Sequence, residues 1–490
     1  MPTVASSRLL EHYSDSYRPM KWFSSLPTHR CLLGLALALP VMSALAAATQ
    51  EFVPAVDVST YPTLQAAIDA NPGTIIRVPA GEYRLTSALV IRHNRTQIVG
   101  PARIVQSNPK EAMLTITDAS GVRVSDLAFT RSEGQQETTS HGVQVVKSRD
   151  VILSHLDVSE NHTRSSIVAS DSQDITVQNC TVKNFKGPTI DDRTAPQHLS
   201  GYAFKSIDGT GIQMRNVQGA VIRDNRVQEF RLLPTKETRD KYDLGTLTIV
   251  PAKPGRLMSE QIFRARYTNN WHQGAGIHVA GPDQTRRVII SGNFVEHAPQ
   301  GIDIHSDNVV VTNNIIAHAM IGMKAMHGSK NVLIDGNQFT YVDLWGIVLM
   351  TGAASRAAGN PMPSGGVTTE NVDGGHIISN NIISNFGFGL QDWNWVETKA
   401  NRCAIQLPKG QLEENPPLRN VVIAGNVVYD SGQDQIMVDG KWTKVPPRYN
   451  YALYVEQTGK PSPQNVRVHG NVFDPGLNGT TNLPDPSQSN

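Results

Sequence analysis

The chain has 490 residues, with 44 Lys or Arg and 43 Asp or Glu, so its net charge is +1 when the histidines are neutral. This balance excludes long-range electrostatic attraction to nucleic acids or acidic membranes, and no nucleic-acid partner is predicted. Any polyanion would have to be held by a local patch of charge.

The N-terminal 46 residues have the pattern of a secretory signal peptide. A basic segment at residues 20–30 precedes an apolar run at 31–41, and residues 43–46 carry the small side chains of a cleavage site. Met20 is an alternative start of this signal. The apolar run is shorter than the roughly 20 residues of a membrane span, so none is predicted in the mature chain. We therefore predict a secreted or periplasmic protein.

One eight-residue pattern returns ten times: a β-branched run, a small polar residue, Asn or a substitute, and an apolar pair. The clear copies begin at Val288, Val309, Val332, His376, Val421 and Val466, and the looser ones at Val122, Val151, Ile175 and Ala220. Repetition at this spacing is typical of a repeat architecture. Alternating Val and Ile favour strands, and Gly-Asn or Asn-Asn favours a corner with left-handed backbone.

Seven copies carry Asn at one equivalent position, and stacking would align these side chains about 4.8 Å apart as a hydrogen-bonded ladder. These are Asn225, Asn293, Asn314, Asn337, Asn381, Asn426 and Asn471. A second pattern, Gly-apolar-variable-apolar, falls between the copies. It begins at Gly211, Gly276, Gly301, Gly322 and Gly346. Together the two patterns predict three short strands per turn of chain.

These repeats resemble the right-handed parallel β-helix of the pectate-lyase superfamily, including its asparagine ladder. The resemblance implies an all-β, single-stranded right-handed parallel β-helix of about ten to eleven coils over residues 47–474. A short amphipathic helix at residues 61–69 is predicted to cap its N-terminal end. Residues 475–490 are rich in Pro, Asn and Ser and are predicted to form a flexible tail.

Long insertions flank the Gly-led strands and predict a groove over that column. They run over residues 186–210, 231–275, 351–375, 385–402 and 431–450. Side chains on these strands alternate inward and outward. Outward positions in consecutive coils carry His278, Asp303 and Lys324, and His305 lies beside Asp303 on one strand. We predict these four as catalytic residues, because a carboxylate between potential cations and bases suits acid–base chemistry.

Five further residues are predicted to bind substrate: Gln213, Arg215, His327, Trp345 and Gln406. Arg215 would offset substrate charge, with Arg264 or Arg266 as alternatives from a loop. Two other interpretations of the cluster remain open: solvated surface ion pairs, and a metal site formed by His278, Asp303 and His305. No cofactor or metal is predicted, although a divalent cation such as calcium is compatible with the pattern.

The segment from Asp303 to Asp307 resembles the Asp-Pro-His-Asp signature of mannuronan C5-epimerases, with Ile304 in place of Pro and Ser306 before the last acid. Lys324 is similar to the lysine base of several β-helix lyases. These resemblances imply proton abstraction at C5 of a uronate-containing polysaccharide, by a lyase or an epimerase.

Two other functions remain as alternatives. A glycoside hydrolase would pair Asp303 with Asp307, Asp283 or Asp343. A non-catalytic β-helix would bind polysaccharide or serve a structural role. Sequence leaves the sugar, the linkage and the oligomeric state open.

Overall fold

The computed structural model describes residues 55–191, 202–249, 264–268, 271–281, 285–359, 369–386, 402–430, 435–444, 447–459 and 461–484. The predicted signal peptide, Asp283 and the end of the predicted tail lie outside these ranges. Within them, the chain winds through three columns of parallel strands, so that each coil pairs with the coils before and after it.

The first column contains Ala55–Asp57, Ile75–Arg77, Gln97–Gln106, Arg123–Arg131, Arg149–Ser154, Gln173–Gln178, Gln218–Arg223, Arg286–Ser291, Asp307–Thr312, Val332–Asp335, Gly374–Ser379, Arg419–Ala424 and Gln464–His469. The second contains Glu82–Leu85, Asp157–Ser159, Thr181–Lys183, Arg226–Gln228, Phe294–Glu296, Ile315–Ala317, Gln338–Thr340, Ile382–Ser384, Val427–Tyr429 and Val472–Phe473. The third, called the site column below, contains Leu89–Ile91, Leu114–Thr117, Val143–Val146, Ile167–Ser170, Thr210–Arg215, Ala275–Ala280, Gln300–Ile304, Ile321–Ala325, Trp345–Leu349, Cys403–Leu407 and Tyr451–Val455.

The eleven strands of the site column agree with the predicted ten to eleven coils. Apolar side chains from all three columns point inward and form one core along the axis. The glycines that begin strands of the site column face side chains of the second column across this core. A Cβ on Gly301 would lie 2.5 Å from the Ile316 side chain, and one on Gly322 would lie 2.5 Å from Phe339. Glycine therefore begins these strands because the opposite wall leaves no room for a side chain.

The predicted asparagine ladder is confirmed. From Asn225 to Asn471, each side-chain amide donates to the side-chain oxygen of the next, over 2.9–3.0 Å. Most rungs also donate to a backbone carbonyl of the preceding coil, as Asn314 does to Ile290 over 3.0 Å. The corner residue before each Asn takes left-handed backbone, with φ of 66° at Gly292 and 55° at Asn313. The ladder thus keeps this corner at the same distance from the helix axis in successive coils.

Both ends of the solenoid are covered. Helix Leu64–Ala70 begins after Thr63, whose side chain accepts a hydrogen bond from the Ala66 N–H, and it follows a short 3-10 helix, Val58–Thr60. It buries Leu64, Ala67 and Ile68 against the first coils, as the predicted cap requires.

The prediction of a flexible tail from residue 475 is wrong for its first part. The Leu453 N–H donates to the Thr480 carbonyl over 3.0 Å, and the Val455 N–H donates to the Asn482 side chain over 2.9 Å. Leu483 packs against the core. The last strand of the site column would otherwise leave its N–H groups without a strand to pair with, so the chain turns back to satisfy them.

The insertions contain structure of their own. Strands Gly187–Asp191, Tyr202–Asp208 and Leu247–Ile249 form an antiparallel sheet, and a second helix spans Lys236–Tyr242. Strands Gln435–Val438 and Lys441–Lys444 form a hairpin. Among the described residues, no helix has the length and apolar character of a transmembrane span.

We expect Asn314→Ala to lower the free energy of unfolding by about 3–5 kcal/mol, because it leaves buried groups of Asn293 and Asn337 unsatisfied. Asn471→Ala, at the half-buried end of the ladder, should cost roughly 1 kcal/mol, since water replaces part of the lost bonding. Denaturant titration measures both values. Equal losses of unfolding free energy in the two variants would contradict the conclusion that the buried central residues of the ladder contribute most to stability.

One histidine lies inside the solenoid. His376 occupies an inward position of the first column that is Val421 in the next coil, and its Nδ1 accepts a hydrogen bond from the Val332 N–H over 3.3 Å. Its side chain is buried, and burial lowers the pKa of His376 to about 4. The unfolded chain, with an ordinary histidine pKa near 6.5, therefore binds more protons between pH 6.5 and 4.

We expect His376 alone to lower the free energy of unfolding by about 2 kcal/mol as the pH falls from 7 to 5. Over this range the unfolded state binds a proton on His376 and the folded state does not. His376→Asn keeps an acceptor for Val332 and lacks the ring, so its unfolding free energy should fall by that much less over the same interval. His469→Asn, on an exposed strand end, should behave like the unsubstituted chain. Parallel pH profiles for all three chains would contradict the assignment.

Candidate active site

The register of the site column places the predicted catalytic residues one above another. Gln213 pairs with His278, His278 with Asp303, and Asp303 with Lys324, in four successive coils. His305 follows Asp303 by two residues. The alternation predicted from the Gly-led pattern is confirmed, because the intervening Ile302 and Ile304 are buried in the core.

Asp303 is the centre of the cluster. Its Oδ1 lies 2.9 Å from Nε2 of His305, and its Oδ2 lies 3.4 Å from Nζ of Lys324 and 3.9 Å from Nε2 of His278. The Asp303 side chain is 9% exposed, whereas those of His278, His305 and Lys324 are 20%, 18% and 13% exposed. A buried carboxylate is thus surrounded by three partly accessible nitrogen groups.

Two opposing effects set the charge of Asp303. Burial would raise the pKa of its carboxyl group, but the nearby His305 and Lys324, helped by His278, outweigh burial and hold that pKa well below its usual range. Asp303 is therefore ionised at neutral pH.

A chain of polar side chains fixes the tautomer of His278. The Ser165 hydroxyl donates to Oε1 of Gln213 over 2.8 Å, and Nε2 of Gln213 lies 3.1 Å from Nδ1 of His278. Because the Gln213 oxygen accepts from Ser165, its NH2 group donates to His278. Neutral His278 then carries its proton on Nε2, the atom that faces Asp303.

His327 joins the cluster from the turn after the Lys324 strand. Its ring centre lies 4.5 Å from that of His305, edge to face. Burial, reinforced by Lys324 and by His305 when that ring is protonated, lowers the pKa of His327 to about 3. It is therefore a neutral imidazole at physiological pH.

The turn that carries His327 is held by a buried acidic residue. Asp373 accepts hydrogen bonds from the N–H groups of Gly328 and Ser329, both over 3.0 Å, and the Asn371 side chain donates to the His327 carbonyl over 2.8 Å. Sequence analysis did not identify Asp373, Asn371 or Ser165. Their roles depend on contacts between coils 44 to 48 residues apart, which no local motif signals.

The remaining predicted binding residues lie outside this cluster. Arg215 is exposed. It lies two coils before Asp303 and pairs with Ala280 of the coil between them. Trp345 is 7% exposed and packs with Met320, Ile321, Leu344 and Val348. Gln406 lies two coils beyond Lys324 and is buried. Arg264 and Arg266 are exposed.

His278, Asp303 and His305 each offer one donor atom within 4.8 Å of the others, as a metal site requires. The donor set suits a transition-metal ion only in part. Lys324 already places an ammonium group 3.4 Å from the Asp303 carboxylate, so a cation there would have to displace it.

Residues 257–409 match the family described as periplasmic copper-binding protein (NosD). This range includes the coils of His278, Asp303 and Lys324. No curated protein sequence matches the chain.

Three of the solved structures that are similar to the chain illustrate the range of these matches. The Dettilon tailspike protein is 12% identical over 84% of this chain and 68% of its own, with a TM-score of 0.50. A PL6 alginate lyase bound to a trisaccharide is 12% identical over 88% of this chain and 86% of its own, with a TM-score of 0.49. The A-module of a mannuronan C-5 epimerase from Azotobacter vinelandii is 13% identical over 88% and 98%, with a TM-score of 0.44. At these identities the similarity concerns the fold, and the chain is a right-handed parallel β-helix protein, as its repeats predict.

Proposed function

We propose that the protein is a secreted or periplasmic enzyme that abstracts the C5 proton of a uronate unit in a polysaccharide, as a lyase or a C5-epimerase. The observation that carries this proposal is the ionised Asp303 carboxylate held between His305 and Lys324 on the outer face of the site column. Removal of a proton beside a carboxylate needs a base, a positive group that neutralises the substrate carboxylate, and an acid. The cluster offers one residue for each task.

His305 is the favoured base. Its Nε2 lies 2.9 Å from Oδ1 of Asp303, so a proton on Nε2 would be stabilised by the carboxylate and Nδ1 would be the basic atom of the neutral ring. A carboxylate that orients an imidazole in this way also stabilises the imidazolium that forms after proton transfer. Asp303 is thus a positioning residue that supports the base.

Lys324 is better suited to bind the substrate carboxylate than to act as the base. Its Nζ lies 3.4 Å from the Asp303 carboxylate and forms an ion pair with it. An ammonium group lowers the cost of the negative charge that develops on the uronate carboxylate when C5 loses its proton. His278, with its proton on Nε2, is the second acid or base, and Gln213 fixes its tautomer.

Of the predicted binding residues, His327 and Gln213 belong to this site, and Arg215 is placed to contact a neighbouring sugar along the column. Trp345 and Gln406 instead contribute packing, because little of either side chain is exposed. No metal ion or cofactor takes part in the proposed reaction.

A glycoside hydrolase is less well supported. Asp307 lies in the first column, where its carboxylate contacts Nζ of Lys330 at 3.6 Å and accepts the Lys330 N–H over 3.1 Å. Asp303 would have to be protonated to serve as the general acid, and its surroundings keep it ionised. A non-catalytic polysaccharide-binding β-helix is the alternative that the activity assays test.

Purified protein incubated with alginate, pectate and neutral glucans distinguishes the reactions. A lyase produces an unsaturated product that absorbs near 235 nm, a hydrolase produces reducing ends without that absorbance, and an epimerase changes the NMR spectrum of the polymer without cleaving it. We expect the first or third result with a uronate polymer and none with neutral glucans. Absence of any change would favour the binding protein.

We expect Asp303→Asn, His305→Ala and Lys324→Ala each to lower turnover by about a hundredfold or more, which is the usual contribution of an acid–base group. Thermal unfolding should remain close to that of the unsubstituted chain for at least one of them. Lys330→Ala is the matched control, because this lysine forms a comparable ion pair on the first column. Full turnover in all three variants would remove the proposed site.

A further inference from the structure

A second group of histidines lies at the corner that follows the second column. His297, His318 and Tyr341 come directly after strands Phe294–Glu296, Ile315–Ala317 and Gln338–Thr340, and all three have left-handed backbone, with φ of 57°, 51° and 52°. The ring centres of His297 and His318 lie 5.1 Å apart, and those of His318 and Tyr341 lie 5.0 Å apart. The stacking of coils therefore brings two imidazoles together at one corner.

Glu296 completes a set of metal-binding side chains. One donor atom from each of Glu296, His297 and His318 lies within 4.8 Å of the others. The Glu296 Oε2 also accepts a hydrogen bond from the Gln228 side chain over 2.8 Å, which orients the carboxylate. Nδ1 of His297 is buried, and the Glu229 backbone carbonyl interacts with this ring.

The charges around this corner differ from those of the proposed active site. The groups that act on His297 are Glu296, His318, Lys186 and the Glu229 backbone carbonyl. Nζ of Lys186 donates to the His297 carbonyl over 3.1 Å. Burial lowers the pKa of this lysine to about 7.

We propose that Glu296, His297 and His318 form a binding site for a divalent transition-metal ion of the Zn²⁺ or Cu²⁺ class. Two imidazoles and one carboxylate are a typical ligand set for such ions. Small side-chain movements would be needed to bring the three donor atoms to coordination distance, and His318 is exposed. This site is separate from the cluster around Asp303, and its existence does not depend on the proposed enzymatic activity.

The test is titration of the full chain, purified without a histidine tag, with Cu²⁺ and with Zn²⁺. We expect one site per chain, with nitrogen hyperfine coupling in the Cu²⁺ electron paramagnetic resonance spectrum. His297→Asn and His318→Asn should each weaken binding at least about tenfold. Asn suits the backbone here, because Asn184 and Asn385 occupy the same corner in other coils with φ of 51° and 50°.

Three further variants distinguish metal binding at this corner from binding at the cluster around Asp303. Glu296→Gln keeps the side chain's size and its acceptor for Gln228, and it should also weaken binding at least about tenfold. Tyr341→Phe keeps the ring stack and should bind like the unsubstituted chain. His278→Asn with His305→Asn removes ligands of the other cluster and should leave binding unchanged. The proposal is overturned if the unsubstituted chain binds neither ion, or if only the His278 and His305 substitutions abolish binding.

Discussion

The parallel hydrogen-bond register between coils is the constraint on which the rest of this protein depends. It places residues that are 21 to 65 positions apart in sequence directly over one another, as with Asp303 and Lys324 or Gln213 and His278. The strand spacing of about 4.8 Å then becomes the distance at which side chains meet. The core, the asparagine ladder and both histidine groups all arise from this single repeat distance.

The same spacing has opposite electrostatic consequences on the inside and the outside of the solenoid. Inside, identical Asn amides satisfy one another, because each has both a donor and an acceptor. Outside, Asp303 has cationic or titratable neighbours above, below and beside it, and their attraction exceeds the cost of its burial. The carboxylate that results is ionised at neutral pH and lies 2.9 Å from Nε2 of His305, and the proposed proton transfer depends on this contact.

Sequence predicted the features that the repeat itself determines. The ladder, the capping helix and the succession from Gln213 through Lys324 follow from counting positions in each coil, because register is fixed once one face is buried. Trp345 was predicted to contact substrate, yet its ring packs with Met320 and Leu344, since the depth of a side chain depends on segments distant in sequence. Contacts between distant segments also form the antiparallel sheet within the insertions and the hydrogen bonds from the His327 turn to Asp373. The repeat pattern does not encode such contacts.

The return of residues 477–482 along the last coil determines how this molecule can meet others. A parallel β-helix is an open stack, and each end presents backbone groups that another copy could extend in the same direction. Here the hydrogen bonds from Leu453 and Val455 are already used within the chain, while the helix Leu64–Ala70 covers the opposite end. Among the described residues, the chain itself thus covers both ends of the eleven-stranded site column, and another copy would have to displace one of these segments to add a strand there.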